Sequence, residues 1–217
     1  MNRLKITFYL KLLILILLAF VAIKFPNNDI DRIIADLIEI KSPNNDFDRT
    51  IADLVEIKGL ALIAKVISLV FNDKLLLLIM ILLSAFLVWI KEFKKAVFIF
   101  FSAGLGGFFL SALKYSIQRV RPLPEIHDGF SFPSGHSTFV ALFFLALLFV
   151  INKKEILKVI ATFAIIAIPI SRMILGAHFI SDVTAGLLLG SLVVDFMKVY
   201  YVKIYDLIMR VLGKTNE

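Results

Sequence analysis

The chain has no cysteine, one tryptophan and three histidines, and only 19% of its 217 residues are charged. Without cysteine there can be no disulfide scaffold, thiolate metal site or cysteine nucleophile. The scarcity of charge comes with 60% apolar residues, which excludes a disordered chain, since disorder needs low hydrophobicity. Soluble domains run at about 45–50% apolar and about 25% charged residues. A mean hydropathy of +0.93 therefore leaves long apolar stretches that need cover. The net charge of +7 would elsewhere point to nucleic acid. In a membrane protein the same excess marks cytoplasmic loops, so no nucleic-acid partner is expected.

What is present in abundance is apolar sequence at membrane-spanning length. A spanning helix needs about 20 mostly apolar residues. Six segments approach that length, at residues 7–23, 75–93, 96–113, 134–152, 156–175 and 182–202. The expected fold is an all-α, six-span transmembrane helical bundle with an outer amphipathic helical segment between spans one and two. The first run follows Arg3 and Lys5, as in a signal peptide, but leads into Val21-Ala22-Ile23-Lys24 without a small-residue cleavage site. It reads as a retained anchor.

Lys and Arg set the orientation. With the N-terminus inside, the inner segments carry Arg3 and Lys5, then Lys91, Lys94 and Lys95, then Lys153, Lys154 and Lys158, then Lys198, Lys203, Arg210 and Lys214. The long outer segment 24–74 holds seven Lys/Arg against nine Asp/Glu, and long segments weigh little in this rule. Trp89, Tyr200, Tyr201 and Tyr205 fall at inner ends, where interfacial aromatics belong.

Residues 25–41 read FPNNDIDRIIADLIEIK and residues 42–58 read SPNNDFDRTIADLVEIK, identical at 13 of 17 positions. Two copies are too few for a solenoid. Each reads as a short amphipathic helix that Asp29 or Asp46 can cap. Ile30, Ile33, Ile34, Leu37 and Ile38 line one face of the first copy, as in a helix lying on a membrane surface. The chain divides into 1–58, the anchor and duplicated segment, and 59–217, a core with a C-terminal cytoplasmic tail.

Ionisable residues at membrane depth or at helix mouths are costly and point to function. Three clusters stand out: Lys114 with Arg121-Pro122; Pro133-Ser134-Gly135-His136; and Ser171-Arg172, His178 and Asp182. Inner lysines and aromatics alone fix the topology, and it places all three clusters on the outer side. Lys114, Arg121 and Arg172 supply three cations, two of them planar forks suited to phosphate. Ser134 and the Gly135 amide stand at a helix start, a ready anion site, and Gly135 permits close backbone approach. His178 and Asp182 are four apart and share a face if the helix has begun by then. A carboxylate that orients a histidine matches a nucleophile–orienter pair. Cations gathered around an anion site also match phosphoryl transfer, which is mostly positioning and charge stabilisation.

The patterns K-x6-R-P, P-S-G-H and S-R-x5-H-x3-D, in this order, resemble the signature of the type 2 phosphatidic acid phosphatase family, membrane lipid phosphatases whose core is similar to that of vanadium haloperoxidases. The resemblance covers about residues 59–202. It implies that His178 attacks phosphorus to give a phosphohistidine, that His136 protonates the leaving oxygen, and that Asp182 supports His178. Lys114, Arg121, Ser134, Gly135 and Arg172 would bind the phosphate. The partners implied are a lipid phosphate substrate and membrane lipids. The motifs specify the reaction better than the lipid. Undecaprenyl diphosphate is the first expectation, because such a carrier is recycled where the active site faces outward. Phosphatidate, phosphatidylglycerophosphate and lipid A phosphate are the alternatives. A non-enzymatic binder of phospholipid head groups is the rival class, and it would need only the cations. No cofactor and no metal are expected, since hard cations want several carboxylates and the motifs hold only Asp182. The implied location is a bacterial inner membrane, with the active site facing the periplasm or exterior.

Other polar residues take plainer readings. His127 reads as a loop residue and Arg119 as solvated or facing lipid phosphate. Lys11 is expected to snorkel toward the inner surface, and Asp195 to pair with Lys198. Gly104, Gly106, Gly107, Gly186 and Gly190 fit small-residue helix packing.

The duplication generates a prediction. Removing residues 26–42 joins Phe25 to Pro43 and leaves one complete copy with its cap. Closing a longer loop costs only about 0.6 kcal/mol per doubling, so the shortened chain is expected to reach the membrane at normal level and keep its specific activity. A normal level with no activity would mean that the second copy contributes to the substrate entrance.

Overall fold

The computed structural model describes residues 2–26, 56–151 and 155–213. Most of the duplicated segment lies outside the described residues. Regular structure among them is entirely helical: α1 (Asn2–Lys24), α2 (Glu56–Val70), α3 (Asp73–Trp89), α4 (Phe93–Ile117), α5 (Gly135–Val150), α6 (Glu155–Ile174) and α7 (Ile180–Val211). The stretches Lys5–Lys24, Gly59–Trp89, Phe93–Ile117, Glu155–Ile174 and Ile180–Val211 are long and apolar enough to cross a membrane. The sixth, α5, has 16 residues and spans about 24 Å at 1.5 Å per residue. It falls short of a hydrocarbon core of about 30 Å.

Each expected span falls on a helix. The additional element is α2, whose sequence was assigned to the outer segment. Its apolar run from Gly59 to Phe71 is too short for a span, and Asn72 ends it by capping the next helix, with its side chain accepting from the amides of Lys74 and Leu75. Helix α2 packs beside α6, with Leu60, Ile63, Ala64 and Ile67 facing Phe163, Ala167 and Ile170 across an apolar groove.

Helices α5 and α7 form the centre. Helix α7 packs on α5, α4, α1 and α6, and α5 also touches α3, α4 and α6. Small residues make the α5–α7 contact close. A Cβ on Gly190 would lie 2.4 Å from the Thr138 carbonyl oxygen, and one on Gly186 would lie 2.6 Å from that of Ser134. Of the other glycines expected at helix contacts, Gly106 meets Leu142, Gly107 only grazes Phe139, and Gly104 has nothing within 4 Å. The outer surface is apolar at mid-helix, with Leu17, Leu62, Phe108 and Phe163 all exposed. Helices satisfy their own backbone, so an apolar exterior of this kind suits lipid, and the chain is an integral membrane protein.

Lys11 corrects the snorkelling expectation. Its ammonium lies 2.6 Å from Asp195 on α7, which also takes Lys198 at 3.3 Å. A lysine in the body of α1 cannot leave an acid across the helix interface unpaired, because lipid offers neither group a partner. The pair thereby ties the otherwise lipid-exposed α1 to the central helix.

All helix ends that carry the sequence clusters meet at one end of the bundle, and Lys91, Lys94, Lys95 and Lys158 lie at the other. The close α5–α7 contact is testable by paired substitutions. Gly190→Ala pushes a methyl into backbone and is expected to cost about 1–3 kcal/mol, as overpacking usually does. Gly104→Ala meets open space and should be neutral or slightly stabilising. Thermal midpoints in detergent check this; equal midpoints for the two variants would contradict the packing.

Candidate active site

The site is assembled from the ends of α2, α4 and α6, the starts of α3, α5 and α7, and two loops. Ser134 caps α5, its hydroxyl accepting from the Ser137 amide at 3.4 Å. That cap starts the helix at Gly135 and places the free N-terminal turn, with its partial positive charge, inside the site. His136 follows on the first turn. Gly135 is needed for contact: a Cβ there would meet an Asp73 carboxylate oxygen at 2.5 Å. Asp73 itself begins α3, beside the capping Asn72, and its Oδ1 lies 3.8 Å from His136 Nδ1.

His178 and Asp182 meet by a route other than a shared helical face. Helix α7 starts only at Ile180, so His178 precedes it. Asp182 sits at the third helical position and reaches back to accept from the Phe179 amide at 2.9 Å, half of a capping box. The turn places His178 Nδ1 3.7 Å from Asp182 Oδ2. Ser131 Oγ also donates to Oδ2, and the Ser134 amide donates to the Asp182 carbonyl at 3.0 Å. This last bond joins the starts of α5 and α7.

The three cations converge on the histidines. Arg121 Nη1 lies 3.2 Å from His178 Nε2 and donates to the Ala177 carbonyl at 2.9 Å, while its Nε reaches the Gly129 carbonyl at 3.1 Å. Lys114 Nζ donates to the Phe130 carbonyl at 2.7 Å. Arg172 Nη1 donates to Ser68 Oγ on α2 at 2.6 Å. Its Nε is buried and has no partner among the described residues. A buried donor left without an acceptor is costly, and an anionic oxygen would satisfy it.

A guanidinium has donors only. Its contact therefore makes His178 Nε2 an acceptor, with the ring proton on Nδ1 facing Ser131 and Asp182. The protonation state agrees. Burial pushes the His178 pKa down to about 3, helped by Arg121 and Lys114, against the opposing pull of the Asp182 bond and charge. The ring is neutral, with the Nε2 lone pair turned toward the cations. Burial likewise lowers the Arg121 pKa, against the pull of Asp182, Asp73 and Asp128.

The structure thus gathers every residue the sequence singled out: Lys114, Arg121, Ser134, Gly135, His136, Arg172, His178 and Asp182. It also adds residues that sequence reasoning missed. Asp73 and Ser68 lie in the segment read as an outer loop, and nothing in their local sequence marks them except the N-cap pattern Asn72-Asp73. Ser131 lies three residues before Ser134. Arg119 is a correction: expected in solvent or at lipid phosphate, it is fully buried and lies 2.8 Å from Asp182 Oδ1. The left-handed backbone of Gln118 (φ 52°) ends α4 and turns the chain back, so that Arg119 points into the bundle. His127 is a loop residue as read, with Nε2 2.8 Å from the Leu175 carbonyl.

Comparison with known proteins places this geometry. Residues 95–206 match the PAP2 superfamily, which covers all three clusters. The chain is 40% identical over 103 residues to phosphatidylglycerophosphatase B of Bacillus subtilis (strain 168), an alignment covering 42% of this chain and 51% of that protein. It is 33% identical over 108 residues to the lipid A 1-phosphatase of Rhizobium johnstonii, covering 43% of each. The chain spans about half the length of these curated relatives. Among solved structures, it resembles the crystal structure of a transmembrane PAP2-type phosphatidylglycerolphosphate phosphatase from Bacillus subtilis. The TM-score is 0.71 at 23% identity, over 91% of this chain and 96% of that one. That likeness shows a shared fold. With the matched segment spanning half of its length, the chain belongs to the PAP2 superfamily.

Proposed function

We propose that this protein is a membrane lipid phosphatase that cleaves a phosphate from a lipid head group through a phosphohistidine at His178. The observation that carries the reading is the orientation of His178: its neutral Nε2 faces Arg121, and its Nδ1 side is held by Ser131 and Asp182. A protein that only bound head groups would need the cations, not a buried imidazole prepared as a nucleophile.

In the first step, Nε2 attacks phosphorus and the bond from phosphorus to the lipid oxygen breaks. Lys114, Arg121, Arg172 and the N-terminus of α5 hold the equatorial oxygens, where transition-state charge lies. His136 gives its proton to the leaving oxygen, which departs as the lipid alcohol. Asp73 stands beside His136, its Oδ1 3.8 Å from Nδ1, where it orients the ring for that transfer. In the second step, neutral His136 takes a proton from water. The resulting nucleophile attacks phosphorus, the P–N bond breaks, and inorganic phosphate leaves. Asp182 stabilises the positive charge that His178 acquires between the steps. The three cations supply the charge stabilisation, so the reading calls for no metal.

For the lipid, the names of the relatives support phosphatidylglycerophosphate or lipid A phosphate ahead of undecaprenyl diphosphate, the first expectation from the sequence. With Lys91, Lys94, Lys95 and Lys158 at the opposite end of the bundle, the positive-inside rule supports an active site on the outer face, and the bacterial relatives support an inner membrane.

Phosphate release from a panel of these lipids, with purified protein in detergent, tests the reading. His178→Ala is expected to abolish release while lipid binding persists, and Asp73→Asn to slow it by about 10–100-fold, no more than the lower end of what a general acid contributes, because His136 itself remains. Activity should survive EDTA, and vanadate should inhibit it. Near wild-type turnover by His178→Ala, or loss with EDTA and rescue by Mg²⁺, would overturn the mechanism.

The His178 environment also predicts a pH dependence of stability. The folded ring takes a proton only near pH 3, whereas an ordinary histidine does so near 6.5. Unfolding therefore takes up a proton between these values, and the stability gained by keeping the ring neutral is lost as pH falls through that window. Between about pH 7 and 4, the wild-type thermal midpoint is expected to fall more steeply than that of His178→Gln. Parallel curves would contradict the burial of a neutral ring.

A further inference from the structure

Arg119 takes no part in the mechanism above, yet it is among the largest fully buried side chains of the protein. Its guanidinium is engaged along its edge and over one face. Nη1 lies 2.8 Å from Asp182 Oδ1 and 2.7 Å from Ser181 Oγ. Nε donates to the Pro26 carbonyl at 3.0 Å. The plane stacks over the Phe179 ring with its central carbon 4.1 Å from the ring centroid. Its own carbonyl accepts from the Ser131 amide at 2.7 Å, which fixes the residue whose hydroxyl binds the other carboxylate oxygen.

These contacts divide the work of Asp182. Oδ1 is given to Arg119, while Oδ2 receives Ser131, the Phe179 amide and the His178 side. A carboxylate held on one oxygen only could rotate about its last bond or take a proton from His178. With Arg119 on Oδ1 it can do neither cheaply, because an ionised carboxylate in apolar surroundings stays charged only when paired. A lysine could supply the charge but not the planar set of donors that meets Asp182, Ser181 and Pro26 together.

We propose that Arg119 is a positioning residue for the reaction: it fixes Asp182 as a correctly turned carboxylate behind His178 without touching the substrate. The inference rests on the reading of His178 as nucleophile with Asp182 as its support. It also makes the end of α1 part of the active-site wall, since the Pro26 carbonyl satisfies the Nε donor. Pro26 is the second residue of the duplicated segment, so that segment starts from a point tied to the catalytic centre.

The test is a double-mutant cycle on the purified protein, with phosphate release from phosphatidylglycerophosphate, or whichever lipid of the panel is turned over best, as the readout. Arg119→Met is expected to lower kcat by about 10–100-fold, the cost usual for outer partners that orient a site histidine, with KM changed less than about twofold because no phosphate contact is lost. In an Asp182→Asn background the same change should cost less than about threefold, because residues that act as a unit are not additive. Arg119→Lys should fall between wild type and Arg119→Met. Added guanidinium ion should partly restore kcat to an Arg119→Ala variant. If Arg119→Met fails to reach the membrane, the Arg119→Lys cycle carries the same comparison.

Wild-type kcat in the Arg119 variants would overturn the proposal. So would a loss confined to KM, or a loss that multiplies undiminished on the Asp182→Asn background. His178→Ala is run alongside. If it keeps its turnover, the nucleophile reading itself has failed; if it is inactive while the Arg119 variants are normal, only the role of Arg119 has.

Discussion

A carboxylate buried in an apolar bundle has to be bonded on every side, and meeting that demand at Asp182 organises the end of this molecule. Its side chain is fully buried, so water cannot make up for a missing partner. Arg119 comes from the turn after α4, Ser131 from the loop before α5, the Phe179 amide from the start of α7 and His178 from the residue before it. The Asp182 carbonyl in turn holds the Ser134 amide, which sets the start of α5 and its anion-binding turn. One acid thus links the three clusters of the sequence, and the candidate site is laid out around it.

The rest of the bundle makes this arrangement affordable. Helices α5 and α7 approach closely enough at Gly186 and Gly190 to bring the two helix starts together. Their other neighbours wrap an apolar layer around them, and that layer presents leucine and phenylalanine outward to lipid. The start of α5 is enclosed by the bundle, with Ser134, Gly135 and Ser137 all buried. The cations of the site therefore work in surroundings of low dielectric, where each contact to a developing charge counts for more than in water. Arg172 illustrates the consequence: its Nε is buried, partnerless among the described residues and suited to an anionic group.

Much of this was legible in the sequence. Apolar runs of spanning length gave the helices, and lysine asymmetry put Lys114, His136 and His178 at one end before their motifs were considered. Helix α2 was not legible, because a 13-residue apolar run resembles neither a span nor a loop. The contact between His178 and Asp182 was foreseen, but it is made by a capping turn, since the helix begins two residues after the histidine. Arg119 was misread because an arginine beside Arg121 at a helix mouth looks solvated; the left-handed Gln118 that turns it inward is invisible in composition. Asp73 and Ser68 were missed for a different reason. They reach the site from α3 and α2 through tertiary packing, outside the segment 95–206 that matches the family.

The central claim is that His178 accepts the phosphoryl group. Rapid quenching of the enzyme during turnover of a lipid carrying labelled phosphate tests it most directly. The account predicts a label that is lost in acid, stable in alkali and mapped to a peptide containing His178, formed faster than phosphate is released. Label on another residue, or turnover with no protein-bound phosphate at any time, would contradict it.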